Sequence, residues 1–191
     1  MKRTWIVIVA AALAVPCLAV KAAEPDTKGA ADVKTGLKVG QQAPPFKIKD
    51  AAGKEIDLAV LAAKGPVLVR LTCGCSGCDK ELSYFQTLHA AYKGKGLTSL
   101  AVFKEPDAKV ESYVKDKKLD MLYAVDTDGK SWQTFQTKTM PTNFLIDKGG
   151  TIRAIAAGCD PSGLVAQSLS QKVANLVGTS TADVQADSQE K

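Results

Sequence analysis

Residues 66–81 read "PVLVRLTCGCSGCDKE", and the order of their parts decides the fold. "PVLVRL" (66–71) is a short apolar run of the kind found in a strand buried on both faces. Three cysteines follow within six positions: Cys73, Cys75 and Cys78. Beyond them Leu82, Phe85, Leu88 and Tyr92 recur at helical spacing. That spacing predicts an amphipathic helix with Cys78 at its beginning, ending near "KGKG" (93–96).

Outward from this stretch the punctuation is regular. "FKIKD" (46–50) and "KEIDL" (54–58) alternate about "AAGK", which predicts a two-stranded ribbon turning near Gly53. "LTSLAVF" (97–103) and "MLYAVD" (121–126) read as strands, with "DAKVESYVKDKK" (107–118) as the helix between them. "TNFLID" and "TIRAIAA" flank "KGG" as a hairpin, and "PSGLVAQSLSQKVANLV" (161–177) is a closing helix with Pro161 near its first turn. Strands alternating with helices in this order predict an α/β domain with a mixed central sheet flanked by helices and an N-terminal β-hairpin. Sites in such sheets lie beyond the carboxyl ends of the parallel strands, where "PVLVRL" meets the cysteines.

The first 22 residues carry Lys2 and Arg3, an apolar run from Trp5 to Val20, then small residues at Ala22 and Ala23. This is the layout of a secretory signal peptide, with cleavage expected after Ala22. An uncleaved anchor is the alternative, although the run falls short of the roughly 18 apolar residues of a spanning helix. Residues 23–36 read as a flexible lead-in, 37–177 as the folded domain and 178–191 as a disordered tail. Loss of Lys2, Arg3 and Lys21, with no anion removed, lowers the formal charge from +5 to +2. So small a charge gives no electrostatic footprint for nucleic acid. Export also removes Cys17 and leaves Cys73, Cys75, Cys78 and Cys159 in a compartment where thiols pair or do redox work.

Cys75-Ser76-Gly77-Cys78 is a C-x-x-C between a buried strand and a helix. A helix start offers unpaired N–H groups and a positive dipole end, both of which favour a thiolate. Cys75 is thus the expected nucleophile and Cys78, one turn further in, the resolving thiol. No cofactor is required for that exchange.

From Val39 to about Asp160 the chain resembles the TlpA/ResA-type thiol-disulfide oxidoreductases, thioredoxin-like proteins of the wider AhpC/TSA–redoxin group. The matching stretches are "VGQQAPPFKIKDAAGKEIDL", "GPVLVRL…CSGCDKE" and "YAVDTDGKSWQTFQTKTMPTNFLIDKGGTIRAIAAG". The resemblance implies a thioredoxin-like fold and exchange with protein or small-molecule thiols and disulfides. It also implies an upstream membrane or periplasmic redox partner. Within the site it implies that Met140-Pro141 is a cis bond facing the disulfide and holding substrate backbone, and that Glu81 assists proton transfer at the buried cysteine. The last strand then ends beside the C-x-x-C, bringing Cys159 to the site. The chain departs from the pattern at Thr72-Cys73-Gly74, where aromatic residues are usual, at Ser83, where a proline commonly kinks the helix, and at Arg70. Arg70 either pairs with Glu81 or reaches out past the sheet.

Two other chemistries stay open. Thr72-x-x-Cys75 fits the end of a peroxidatic motif, but Leu68 stands where its proline belongs and Pro141 where its arginine belongs. Cys73, Cys75, Cys78 and Cys159 together offer four thiolates, a set that suits Cu(I) or Zn(II). Otherwise the accessory thiols Cys73 and Cys159 are expected to pair with each other or to exchange with Cys75.

Overall fold

The computed structural model describes residues 35–186 and 188. The expected signal peptide and residues 23–34 of the lead-in lie outside them. Among the described residues no helix is long and apolar enough to cross a membrane.

A small antiparallel ribbon comes first, β1 (Lys47–Lys49) with β2 (Glu55–Asp57), in register Ile48 to Ile56. The strand reading of "KEIDL" stops one residue early. Asp57 accepts a hydrogen bond from the Ala59 N–H at 2.9 Å and caps α1 (Leu58–Lys64), a helix absent from the sequence reading.

The main sheet has the order β5-β4-β3-β6-β7. Its strands are β3 (Val67–Thr72), β4 (Thr98–Phe103), β5 (Leu122–Val125), β6 (Thr142–Ile146) and β7 (Ile152–Ala157). Strands β3, β4 and β5 are parallel, while β6 and β7 run antiparallel. The mixed sheet expected from the sequence is therefore present. All six residues of β3 are buried, as befits the central strand.

Alternation along β3 feeds two cores. Val67, Val69 and Leu71 pack with Phe46, Leu58, Trp132, Phe135 and Phe144 on the ribbon side. Leu68 joins Leu82, Phe85, Leu88, Tyr92, Leu169 and Val173 on the other. The second core lies under α3 (Leu82–Tyr92) and α6 (Leu164–Val177). Helix α4 (Asp107–Asp116) covers Ala101 and Phe103 through Val110. A five-residue helix, α5 (Lys130–Thr134), buries Trp132 between β5 and β6; its length is too short for periodicity to announce it.

Two expectations need correction. The helix after the cysteines is broken: α2 (Ser76–Asp79) is a single turn, and α3 starts only at Leu82. The interruption at Lys80–Glu81 accompanies an inward-turned Glu81 carboxylate, which is bonded inside the fold rather than lying along a helix surface. The segment after Gly178 is not free over its described residues. Val184 is fully buried, the Ala182 N–H donates to the Tyr92 hydroxyl at 2.8 Å, and the Val184 N–H donates to Gln167 Oε1 at 2.9 Å. Two apolar side chains hold it, together with hydrogen bonds between its backbone and side chains of α3 and α6.

Candidate active site

Four chain segments meet along one edge of the sheet. Strand β3 ends at Thr72 and β4 at Phe103; β6 starts at Thr142, opposite Leu71, and β7 ends at Ala157, opposite Thr142. The cysteine loop, Glu105, Met140-Pro141 and Cys159 are therefore gathered by topology alone. The Met140–Pro141 peptide is cis, and the Pro141 carbonyl accepts the Gly158 N–H at 2.9 Å.

The sulfurs of Cys73, Cys75 and Cys78 all lie within 4.8 Å of one another. Cys73 and Cys75 are joined in a disulfide, and the free Cys78 sulfur lies 3.3 Å from that of Cys73. Exposure is graded across the three. Cys75 is exposed, Cys73 half-buried and Cys78 only 3% exposed. Cys75 occupies the N-cap of α2, and its carbonyl accepts the Asp79 N–H at 3.0 Å.

The expected link between Cys73 and Cys159 does not form, because Cys73 is bonded to its near neighbour in the loop. Cys159 is a free, exposed thiol whose Sγ donates to the Gly77 carbonyl at 2.6 Å, between Cys75 and Cys78. Partial burial of the sulfur, and next the carboxylate of Glu81, push its pKa up. As a metal site the cluster is one of three sulfurs, Cys73, Cys75 and Cys78, and Cys159 stands apart from it. Once reduced, three thiolates at this spacing suit a soft ion such as Cu(I).

Arg70 points from β3 into the core under α3 instead of past the sheet. Its guanidinium pairs with Glu81 at 2.5 Å, donates to Asn143 Oδ1 at 3.0 Å and lies 4.2 Å over the Phe85 ring. The other Glu81 oxygen accepts the Asp160 N–H at 2.7 Å. Both carboxylate oxygens are thus engaged, and the pair is almost wholly buried at 3% and 1% exposure. A carboxylate held this way positions the Cys159–Asp160 turn against the cysteine helix. The resemblance implied proton transfer by Glu81, and the Arg70 partner argues for a positioning role in this chain.

Sequence reasoning overlooked Glu105. Its Oε1 accepts the Gly74 N–H at 2.8 Å, so this side chain holds the loop between the bonded cysteines. The signal was available, since an acidic residue just past the carboxyl end of β4 lies next to the end of β3 in a parallel pair. Tyr113 of α4 packs against the same glycine and donates to Asp79 Oδ1 at 3.0 Å, while Lys117 reaches Asp79 Oδ2 at 2.8 Å. Loop and helical turn are both moored to α4 and the strand end before it.

Residues 39–155 match the model of the AhpC/TSA family. Thiol-disulfide oxidoreductase ResA of Bacillus thuringiensis is 35% identical over 117 residues, which cover 61% of this chain and 68% of the relative. A solved thiol:disulfide interchange protein from a Bacteroides species has 25% identity and a TM-score of 0.61, covering 72% of this chain and 91% of its own. A Chlorobium tepidum structure assigned as thiol:disulfide interchange protein DsbE has a TM-score of 0.68 at 24% identity, over 74% of this chain and 99% of its own, and speaks to the fold. A thioredoxin-like mixed sheet, a cluster of cysteines at its edge and these relatives agree: the chain belongs to the AhpC/TSA family and is a thiol-disulfide oxidoreductase.

Proposed function

We propose that the protein is exported and exchanges disulfides with protein or small-molecule thiols through Cys75 and Cys78. Cys75 attacks the partner disulfide, and Cys78 resolves the mixed disulfide so formed. The observation that carries this reading is the gradient of exposure within one sulfur cluster, with Cys75 at the surface and Cys78 beneath it. A nucleophile must meet substrate, whereas a resolving thiol needs only to reach the nucleophile. Met140 and Pro141, on the same edge, are the place for the substrate backbone. An upstream membrane or periplasmic redox partner sets the direction of exchange. The signal peptide ends at Ala22, and the N-terminal mass of protein recovered from the exporting host checks that boundary.

Trapping tests the assignment. Cys73 is close enough to replace Cys78 as resolver, so both have to be removed. A Cys73→Ser/Cys78→Ser protein is expected to accumulate mixed disulfides through Cys75 that reducing agent releases. Failure of Cys75 to capture a disulfide-bonded substrate in that background contradicts the reading.

A further inference from the structure

The cluster holds one cysteine more than dithiol exchange requires. A two-cysteine centre has no thiol left once it is oxidised, but this one has Cys78. Cys73, one sulfur of the Cys73–Cys75 disulfide, lies 3.3 Å from the Cys78 sulfur and can accept its attack, and the sulfur that would leave is Cys75, the exposed member of the pair. Resting on the reading of Cys75 as the surface nucleophile, we propose that the oxidised enzyme is a disulfide isomerase acting on mispaired protein disulfides, with Cys73 as its third catalytic cysteine.

The steps balance without an external reductant. Cys78 gives its proton to solvent, and its thiolate attacks Cys73 Sγ. The Cys73–Cys78 bond forms, the Cys73–Cys75 bond breaks, and the electron pair leaves on Cys75 as a thiolate. Negative charge passes from a buried sulfur to one that water solvates, the direction that desolvation favours. Cys75 then attacks a substrate disulfide to give a mixed disulfide and a substrate thiolate. The freed substrate thiolate attacks a second disulfide of the same substrate and displaces a different thiolate, which attacks the substrate sulfur of the mixed disulfide, forms a new pairing and returns Cys75. Disulfides are rearranged and none is gained or lost.

The surroundings suit bond exchange without movement of the chain. Glu105 holds Gly74 between the first two cysteines, while Tyr113 and Lys117 hold Asp79 just after the third. These bonds hold the backbone on both sides of the cluster, and the 3.3 Å between the Cys73 and Cys78 sulfurs leaves a short distance for the new bond to close. Glu81, engaged by Arg70 and the Asp160 N–H, has no part in the step.

The test uses full-length protein with Cys17→Ser and Cys159→Ser, so that no thiol lies outside the cluster. After oxidation and removal of oxidant, alkylation and peptide mapping should find label on Cys75 and a Cys73–Cys78 link. Catalytic amounts of the oxidised protein should restore activity to fully oxidised, scrambled ribonuclease with no added thiol. Adding Cys73→Ser should abolish that restoration, because Cys75 and Cys78 then close on each other. Label confined to Cys78, or isomerisation that survives Cys73→Ser, overturns the proposal. The labelling arm needs no Cys73 variant to fold. Insulin reduction by the pre-reduced protein reads the underlying dithiol chemistry separately, so loss there with the Cys75 label intact strikes that reading alone.

Discussion

Arg70 occupies the middle of a strand whose every side chain is buried, where an unpaired cation costs several kcal/mol. Glu81 meets the charge, Asn143 takes a further guanidinium N–H, and Phe85 offers its ring face. Removing one partner strands the other. Arg70→Met is therefore expected to destabilise the fold by about 3–5 kcal/mol in urea unfolding, with most of the loss recovered in Arg70→Met/Glu81→Leu. His89 makes a second test at this scale. It is buried on α3 with Nδ1 unpartnered, and burial lowers its pKa from the ordinary 6.5. In that case the unfolded chain binds the proton more readily than the folded one. The stability contributed by the neutral imidazole is full above about pH 6.5 and is lost as the pH falls below it. The Tm is expected to drop over that acid range, and less so in His89→Gln. Glu81 was legible as a candidate from its spacing after Cys78. Its role was not, because the two alternatives for Arg70 differ only in where a long side chain points.

At the scale of elements, the strand, the C-x-x-C and the ribbon near Gly53 were all legible, since each rests on a local pattern of periodicity or turn residues. The break between α2 and α3 was not. Leu82, Phe85, Leu88 and Tyr92 keep helical phase, but nothing in that phase says where the helix starts. The missed start weakens the expected dipole effect on Cys75, since α2 is one turn long. The terminal segment was misread for another reason. "GTSTADVQADSQEK" is polar in composition, yet two of its apolar residues, Ala182 and Val184, suffice to dock it on α3 and α6. Chain truncation after Gly178 is expected to cost about 1.5–3 kcal/mol, the value of burying one valine-sized side chain, read as a lowered denaturant midpoint. An unchanged midpoint would mean that the docked segment adds nothing to stability.

For the whole molecule, one sheet edge collects the ends of β3, β4 and β7 and the start of β6, and with them the chemistry. Strand order explains why Cys159, 81 positions from Cys78, touches the Gly77 carbonyl between Cys75 and Cys78. The raised pKa of Cys159 keeps it protonated at neutral pH, so it is expected to alkylate with a pH midpoint above that of an ordinary cysteine. What the edge does as a unit depends on the exposed sulfur. Insulin reduction by the reduced protein, wild type against Cys75→Ser, tests that claim most directly. Turnover abolished in Cys75→Ser is the predicted result; full turnover retained would place the nucleophile elsewhere and contradict the account.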